Sequence, residues 1–213
     1  MSAALLEVPT PLGPARVHRH DPDGAATGTD GAVAGTLVLG HGAGGGVDSA
    51  DLAALAAAGP AAGWRVLLVE QPWKVAGRRI APAPARLDEG WTAVLAGLRP
   101  DWLSGPLVLG GRSAGARVAC RTSTSEGAAG VLALAFPLHP PGRPEKSRAA
   151  ELHQVRVPLL VVQGATDAFG GPAEVRQALA GHAGTVAAVP GDHGLKKDPA
   201  AVAGAAVDWL RSL

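Results

Sequence analysis

The chain reads as a three-layer α/β domain on a mostly parallel sheet, and three observations carry that expectation. Short runs of Val, Leu and Ala recur along it. The runs do not alternate apolar with polar residues, and the segments between them carry apolar residues at helical spacing. Strands buried on both faces by crossover helices have no polar side to show, whereas half-exposed antiparallel strands do.

The runs are Thr36 to Leu39, Arg65 to Val69, Leu107 to Leu109, Val131 to Ala135, Leu159 to Val162 and Thr185 to Val189. Ahead of them, Ala4 to Thr10 and Ala15 to His20 predict an antiparallel hairpin turned at Leu12-Gly13-Pro14. Residues 21–34, rich in Asp, Gly, Thr and Ala, predict a flexible loop. Among the helical segments, Leu52, Leu55 and Ala56 share a face, as do Leu87, Trp91, Val94, Leu95 and Leu98. Val202, Ala206, Trp209, Leu210 and Leu213 predict a stripe on a final helix, and shorter helices are expected over Glu145 to His153 and Ala173 to Ala180.

With 213 residues, 47% hydrophobic and 17% charged, the chain is long and apolar enough for a substantial core, and residues 1–213 are expected to form a single domain. A formal net charge of +1 without a dense Lys/Arg cluster leaves no electrostatic footprint for nucleic acid or an anionic membrane; Arg78-Arg79 and Lys196-Lys197 are expected as solvated surface. The single cysteine, Cys120, excludes an internal disulfide and is expected as a small buried apolar residue. The N-terminus lacks a basic segment followed by a long apolar run, and the apolar stretch from Ala128 to Leu138 is too short to span a bilayer. A cytoplasmic protein is expected.

In an open parallel sheet, ligands bind beyond the carboxyl ends of the strands. The run ending at Leu109 leads into Gly111-Arg112-Ser113-Ala114-Gly115, and a fourth helix should follow. A strand turning sharply into a helix at G-x-S-x-G exposes a serine hydroxyl on a strained elbow. The pentapeptide alone is weak evidence in a chain with 30 glycines, so its context decides. Asp167 follows the run ending at Val162, and His193 follows the run ending at Val189. A serine hydroxyl needs an imidazole to take its proton, and the imidazole needs a carboxylate on its far nitrogen to fix its tautomer. Ser113, His193 and Asp167 are the candidates for these parts. Asp192 competes weakly, because adjacent side chains on an extended loop diverge.

The reaction also needs two backbone N–H donors facing the developing oxyanion. Ala114, after the nucleophile, is one candidate, and Ala43, in the loop Gly40-His41-Gly42-Ala43-Gly44-Gly45-Gly46, is the other. His41 is then expected to bond the backbone of its own loop. The same loop satisfies G-x-G-x-x-G, and Glu70 ends the next run where a ribose-binding acid would sit, so a dinucleotide-binding oxidoreductase is a rival reading. Against it, the following helix should begin only after Asp48 or Ser49, leaving the third glycine in open loop.

With these residues assembled, the chain resembles the compact, lidless α/β-hydrolases related to dienelactone hydrolase, including the group of testis-expressed protein 30. The resemblance runs from about Thr36 to the C-terminus. It rests on His41-Gly42-Ala43-Gly44 with Asp48-Ser49, on the Ser113 pentapeptide, on Phe136 to Lys146, on Gln163-Gly164 with Asp167, and on Asp192-His193. It implies an α/β-hydrolase fold and a Ser113, Asp167, His193 triad, without a defined substrate. His41 in the glycine loop and His139 and Arg143 in the proline-rich stretch are the candidate substrate-pocket residues, although for His139 and Arg143 a rigid connection over the sheet is the favoured reading.

The expected function is a serine hydrolase cleaving a small ester or thioester through an acyl-enzyme, needing neither metal nor organic cofactor. The connection between Ala135 and Leu159 is too modest for a substantial lid. A non-catalytic hydrolase fold used for binding is the alternative. Arg112, a bulky residue beside the nucleophile, has no role that the sequence explains.

Overall fold

The computed structural model describes residues 4–22, 33–98 and 102–213. Most of the expected flexible loop, residues 23–32, lies outside the described residues. At its near flank the Asp21 carboxylate bridges two guanidiniums, Arg19 at 2.6 Å and Arg65 at 2.7 Å.

Eight strands form one sheet: β1 (Ala4–Val8), β2 (Ala15–His20), β3 (Gly35–Gly40), β4 (Trp64–Glu70), β5 (Leu107–Arg112), β6 (Gly130–Leu134), β7 (Leu159–Gly164) and β8 (Thr185–Val189). Their spatial order is β1-β2-β4-β3-β5-β6-β7-β8. The β1–β2 and β2–β4 pairs are antiparallel, and the pairs from β4 onward are parallel. The helices are α1 (Ala50–Ala61), α2 (Pro72–Val75), α3 (Pro84–Leu98), α4 (Ala114–Thr122), α5 (Ala149–Leu152), α6 (Pro172–Ala178) and α7 (Pro199–Leu210), with a 3₁₀ turn at Pro144–Lys146. This is the three-layer architecture that the apolar runs predict, with the N-terminal hairpin in place.

The lack of alternation in the central strands has a direct structural cause. Successive side chains enter two separate cores, one on each face of the sheet. Val38, Leu67, Leu109 and Val131 pack with Leu87, Trp91, Val94 and Leu95 of α3 and with Val118 of α4. Leu37, Leu39, Val66, Val108 and Leu132 pack instead with Leu52 and Leu55 of α1 and with Val202, Ala206 and Leu210 of α7.

Three expectations need correction. β8 is not buried on both faces: Thr185 and Ala188 are exposed, because β8 closes the sheet and has a neighbouring strand on one side alone. The apolar stripe of α7 does not reach Leu213, which lies beyond the helix end and is 46% exposed. β5 runs past Leu109 to Arg112, since Gly110 and Gly111 keep their register with β3 and β6. The short helix α2 was not expected; it opens on Pro72, whose fixed φ suits a first helical position.

The two outer glycines of the Ser113 pentapeptide are set by packing. A β-carbon on either Gly111 or Gly115 would fall well inside van der Waals contact with the Gly40 carbonyl oxygen on β3. Gly115→Ala should therefore lower stability by about 1–3 kcal/mol as α4 is pushed from the sheet. For a chain of this size each kcal/mol moves Tm by about 2–4 °C, so a melt that stays within about 1 °C of wild type would contradict it.

α4 is also held from outside. Arg117 makes a bidentate pair with Glu151 at 2.8 and 2.6 Å, and Arg121 makes one with Asp88 at the same two distances. Arg121 also lies 3.1 Å from Glu151, so one charged network joins α3, α4 and α5. Cys120, on the inner face of α4, is buried, and burial pushes its thiol up to about 12. That removes thiolate chemistry from this cysteine near neutrality.

Candidate active site

The carboxyl ends of β5, β7 and β8 bring the three expected side chains together. At the end of β5, Ser113 has φ 54° and ψ −105°, a left-handed conformation that costs a residue with a β-carbon. Its N–H donates to the Leu134 carbonyl of β6 at 2.9 Å, and its own carbonyl accepts from Arg117 N–H at 3.1 Å. The elbow is thus fastened to the sheet on one side and to α4 on the other.

The His193 ring meets Asp167 Oδ2 through Nδ1 at 2.8 Å and Ser113 Oγ through Nε2 at 2.9 Å. An ionised carboxylate only accepts, so Nδ1 carries the proton and Nε2 is left to accept from the serine hydroxyl. This is the tautomer that a general base needs. The Asp167 side chain is fully buried and also accepts from Gln163 Nε2 at 2.9 Å and from Phe169 N–H at 2.8 Å. Gln163 is itself buried and donates onward to the Gly170 carbonyl at 2.7 Å, which clamps the loop around Asp167.

The loops after β7 and β8 are tied to each other. Ala165 N–H donates to the Val189 carbonyl at 2.8 Å, and Thr166 N–H to the Gly191 carbonyl at 3.0 Å. Leu195 closes a turn on Asp192 with φ 49° and is fully buried, so its side chain anchors the histidine loop in the core. Phe169 covers the outer face of the imidazole, with ring centroids 4.2 Å apart. Asp192 is exposed and accepts from Gly194 N–H at 2.8 Å, so it shapes its own turn and does not reach the site.

Sequence reasoning missed Gln163 as a ligand of Asp167, as well as Phe169 and Leu195. A polar residue ending an otherwise apolar strand was the available signal for Gln163. Phe169 and Leu195 carried none, because an isolated apolar residue in a loop has no period.

Ala114 opens α4, so its N–H belongs to the first turn, where no carbonyl of the helix can accept it. Ala43 occupies the turn closed by Gly45 N–H on the Gly42 carbonyl at 3.3 Å. His41 is buried beneath this turn: Nδ1–H donates to the Gly42 carbonyl at 2.9 Å, and Nε2 accepts from Gln71 N–H at 3.1 Å. Both bonds suit a neutral ring, and burial lowers its pKa from the ordinary value. His139 is the opposite case. Its two nitrogens face the Pro140 carbonyl at 2.9 Å and the Glu174 carboxylate at 3.1 Å, both acceptors, an arrangement that favours the protonated ring. The Pro140 carbonyl is the main cause of its raised pKa, with Glu174 adding to it. His139 N–H further donates to the Phe169 carbonyl at 3.0 Å, tying the proline-rich stretch to the Asp167 loop. Arg143 is exposed, and its N–H closes a turn on the Pro140 carbonyl at 3.0 Å.

The two rings give opposite pH dependence. The stability that His41 contributes is complete above the pKa of an unfolded histidine and is lost as pH falls below it. The contribution of His139 is complete below that value and is lost as pH rises through the raised folded value. In an NMR titration, His139 should therefore have its midpoint above about 6.5 and His41 below it. The reverse order would contradict both assignments.

A cavity of about 10 Å³, room for roughly one water, sits against the elbow and is lined by His41, Gln71, Trp73, Leu87, Ala114 and Val118 among others. A wider concavity of about 850 Å³ lies beside β8, between Thr166 and Lys197, and none of the three site side chains lines it.

The profile of the alpha/beta hydrolase domain matches residues 33–206. The chain belongs to this family. No curated protein is found to match it. Among solved structures, this α/β-hydrolase chain is similar to an α/β serine hydrolase without a lid from Xanthomonas campestris, with 21% identity, a TM-score of 0.79, and coverage of 100% of this chain and 95% of the other. It is also similar to an α/β serine hydrolase homologue from Coxiella burnetii (20% identity, TM-score 0.77, coverage 100% and 98%). A third is dienelactone hydrolase from Anabaena variabilis (18% identity, TM-score 0.76, coverage 100% and 99%). At these identities the likeness is one of fold.

The α/β-hydrolase assignment displaces the dinucleotide reading on structural grounds as well. α1 begins at Ala50, with Ser49 as its N-cap, so Gly45 lies in the loop and not in a helix that would receive a pyrophosphate. Among the described residues, no helix is long and apolar enough to cross a membrane.

Proposed function

We propose that this α/β-hydrolase chain is a serine hydrolase that cleaves a small ester or thioester through an acyl-enzyme. The observation that carries this reading is the continuous hydrogen-bonded chain from Ser113 Oγ through the His193 ring to Asp167, with the ring in the tautomer of a base.

The chemistry follows from that chain. As Ser113 Oγ attacks the acyl carbon, its proton passes to His193 Nε2, and Asp167 stabilises the imidazolium. The carbonyl oxygen gains negative charge and is met by the N–H groups of Ala114 and Ala43, our candidates for the oxyanion hole. Collapse of the tetrahedral intermediate expels the alcohol or thiol, which takes the proton from His193. Water then enters, gives its proton to His193, and attacks the acyl-enzyme. The carboxylic acid departs as Ser113 recovers its proton.

The modest connection between β6 and β7, which leaves little chain for a lid, supports a short acyl group, and the absence of metal and organic cofactors from this scheme is part of the proposal. So are a small-molecule partner, rather than nucleic acid or membrane, and a cytoplasmic setting. The test is labelling with an active-site-directed fluorophosphonate, with the modified residue located by mass spectrometry, followed by a panel of acyl esters of graded chain length. An adduct on Ser113 and preference for the shortest chains are expected. A wild-type protein that stays unlabelled would remove the reading, and preference for long chains would remove its substrate class.

A further inference from the structure

We infer that Arg112 is a positioning residue that sets the catalytic base, the oxyanion loop and the nucleophile relative to one another. This rests on the serine-hydrolase reading and deepens it. Arg112 is the last residue of β5, immediately before Ser113, and its guanidinium reaches three other segments. Nη2 donates to the His193 carbonyl at 2.9 Å. Nε lies 3.3 Å from Asp51 Oδ2, on a carboxylate of α1 that is fully buried. Nη1 packs beside the oxyanion loop, 3.2 Å from where a β-carbon on Gly42 would sit.

The geometry has a specific consequence. No described hydrogen bond meets the Asp51 carboxylate; its ion pair with Arg112 Nε offsets the buried charge, and that charge in turn fixes where the guanidinium lies. A guanidinium presents rigid, divergent donors, so one side chain can hold the Asp51 carboxylate and the His193 carbonyl together. The His193 loop is otherwise fastened by Leu195, by its backbone bonds to the β7 loop and by the bonds of the His193 ring to Asp167 and Ser113. Arg112 is the described side chain that ties this loop's backbone to the strand carrying Ser113. A displacement of about 1 Å between base and nucleophile costs roughly 10²-fold in rate.

The experiment compares the wild type with Arg112→Lys and Arg112→Ala. It reads the rate of fluorophosphonate labelling, kcat and KM on a short-chain p-nitrophenyl ester, and Tm. Lysine can keep a cation against Asp51 but cannot also reach the His193 carbonyl, so R112K separates positioning from burial of the charge. R112K should fold with Tm within about 2–4 °C of wild type. Its kcat and labelling rate should fall about 10- to 100-fold with KM little changed. Ethylguanidinium, the missing side-chain end supplied free, should restore part of the labelling rate of R112A. If R112A does not fold, R112K carries the test alone. Labelling and kcat of R112K within about threefold of wild type would overturn the inference, as would a loss confined to KM. If the wild type itself is not labelled, the hydrolase reading fails and this inference with it; a labelled wild type beside an unaffected R112K removes the positioning role alone.

Discussion

Ser113→Ala is expected to lower kcat by about 10⁴- to 10⁶-fold and to abolish fluorophosphonate labelling, with the fold retained. The size follows from the part that Oγ plays. In the proposed reaction it is the atom that forms the covalent bond, and without it His193 can at best activate water from a position shaped for a serine. Adding His193→Ala should cost little more, because the two side chains act as one unit. The backbone makes a second, independent statement at this position. Ser113 holds φ 54°, which a residue with a β-carbon adopts at a cost and glycine adopts freely. Ser113→Gly and Ser113→Ala both lose the hydroxyl, so their difference reports the strain less the extra backbone entropy that glycine loses on folding. The glycine variant should be the more stable by about 1 kcal/mol, or about 2–4 °C in Tm. Equal melting temperatures would show that the strain does not exceed the extra backbone entropy that glycine loses on folding, and residual activity near wild type would remove Ser113 as the nucleophile.

Asp167→Asn should lower kcat by about 10⁴-fold through the tautomer of His193. The carboxylate now accepts three hydrogen bonds, from His193 Nδ1, Gln163 Nε2 and Phe169 N–H. An asparagine can accept through one atom only. If that oxygen takes the Oδ1 place and keeps Phe169, the amide group takes the Oδ2 place, gives up Gln163 as a donor, faces the imidazole and donates to Nδ1. The ring proton then moves to Nε2, which offers Ser113 Oγ a donor where the reaction needs an acceptor. Nitrogen-15 NMR of the ring should show the proton on Nε2 in the variant and on Nδ1 in the wild type. A variant that loses activity while keeping Nδ1–H would place the role of Asp167 in charge stabilisation alone.

The sheet was legible because burial on two faces removes the polar half of each strand. Leu37 and Val38 are adjacent in the chain and enter opposite cores, so both must be apolar. The same logic fails at β8, whose composition resembles that of an inner strand although its place at the sheet edge leaves it partly exposed. Ser113, Asp167 and His193 were legible because each follows such a run, and strand ends on the same side of a parallel sheet converge. Gln163, Phe169 and Leu195 were not, since their work is to hold a loop, and the residue types that do so are dictated by what the loop touches.

The sequence by itself therefore determined the parallel core, the positions of the strand ends and the order of the three site side chains, because these depend on local burial and on chain direction. The tertiary structure alone decided the distant partners of His41 and His139, the Gln71 N–H donor and the Glu174 carboxylate acceptor, which periodicity does not connect to either ring. It also decided the place of Arg112. Its contacts with Asp51 and with the His193 carbonyl span separations of 61 and 81 residues, and only the packing of α1 and of the loop after β8 against the end of β5 brings them within reach.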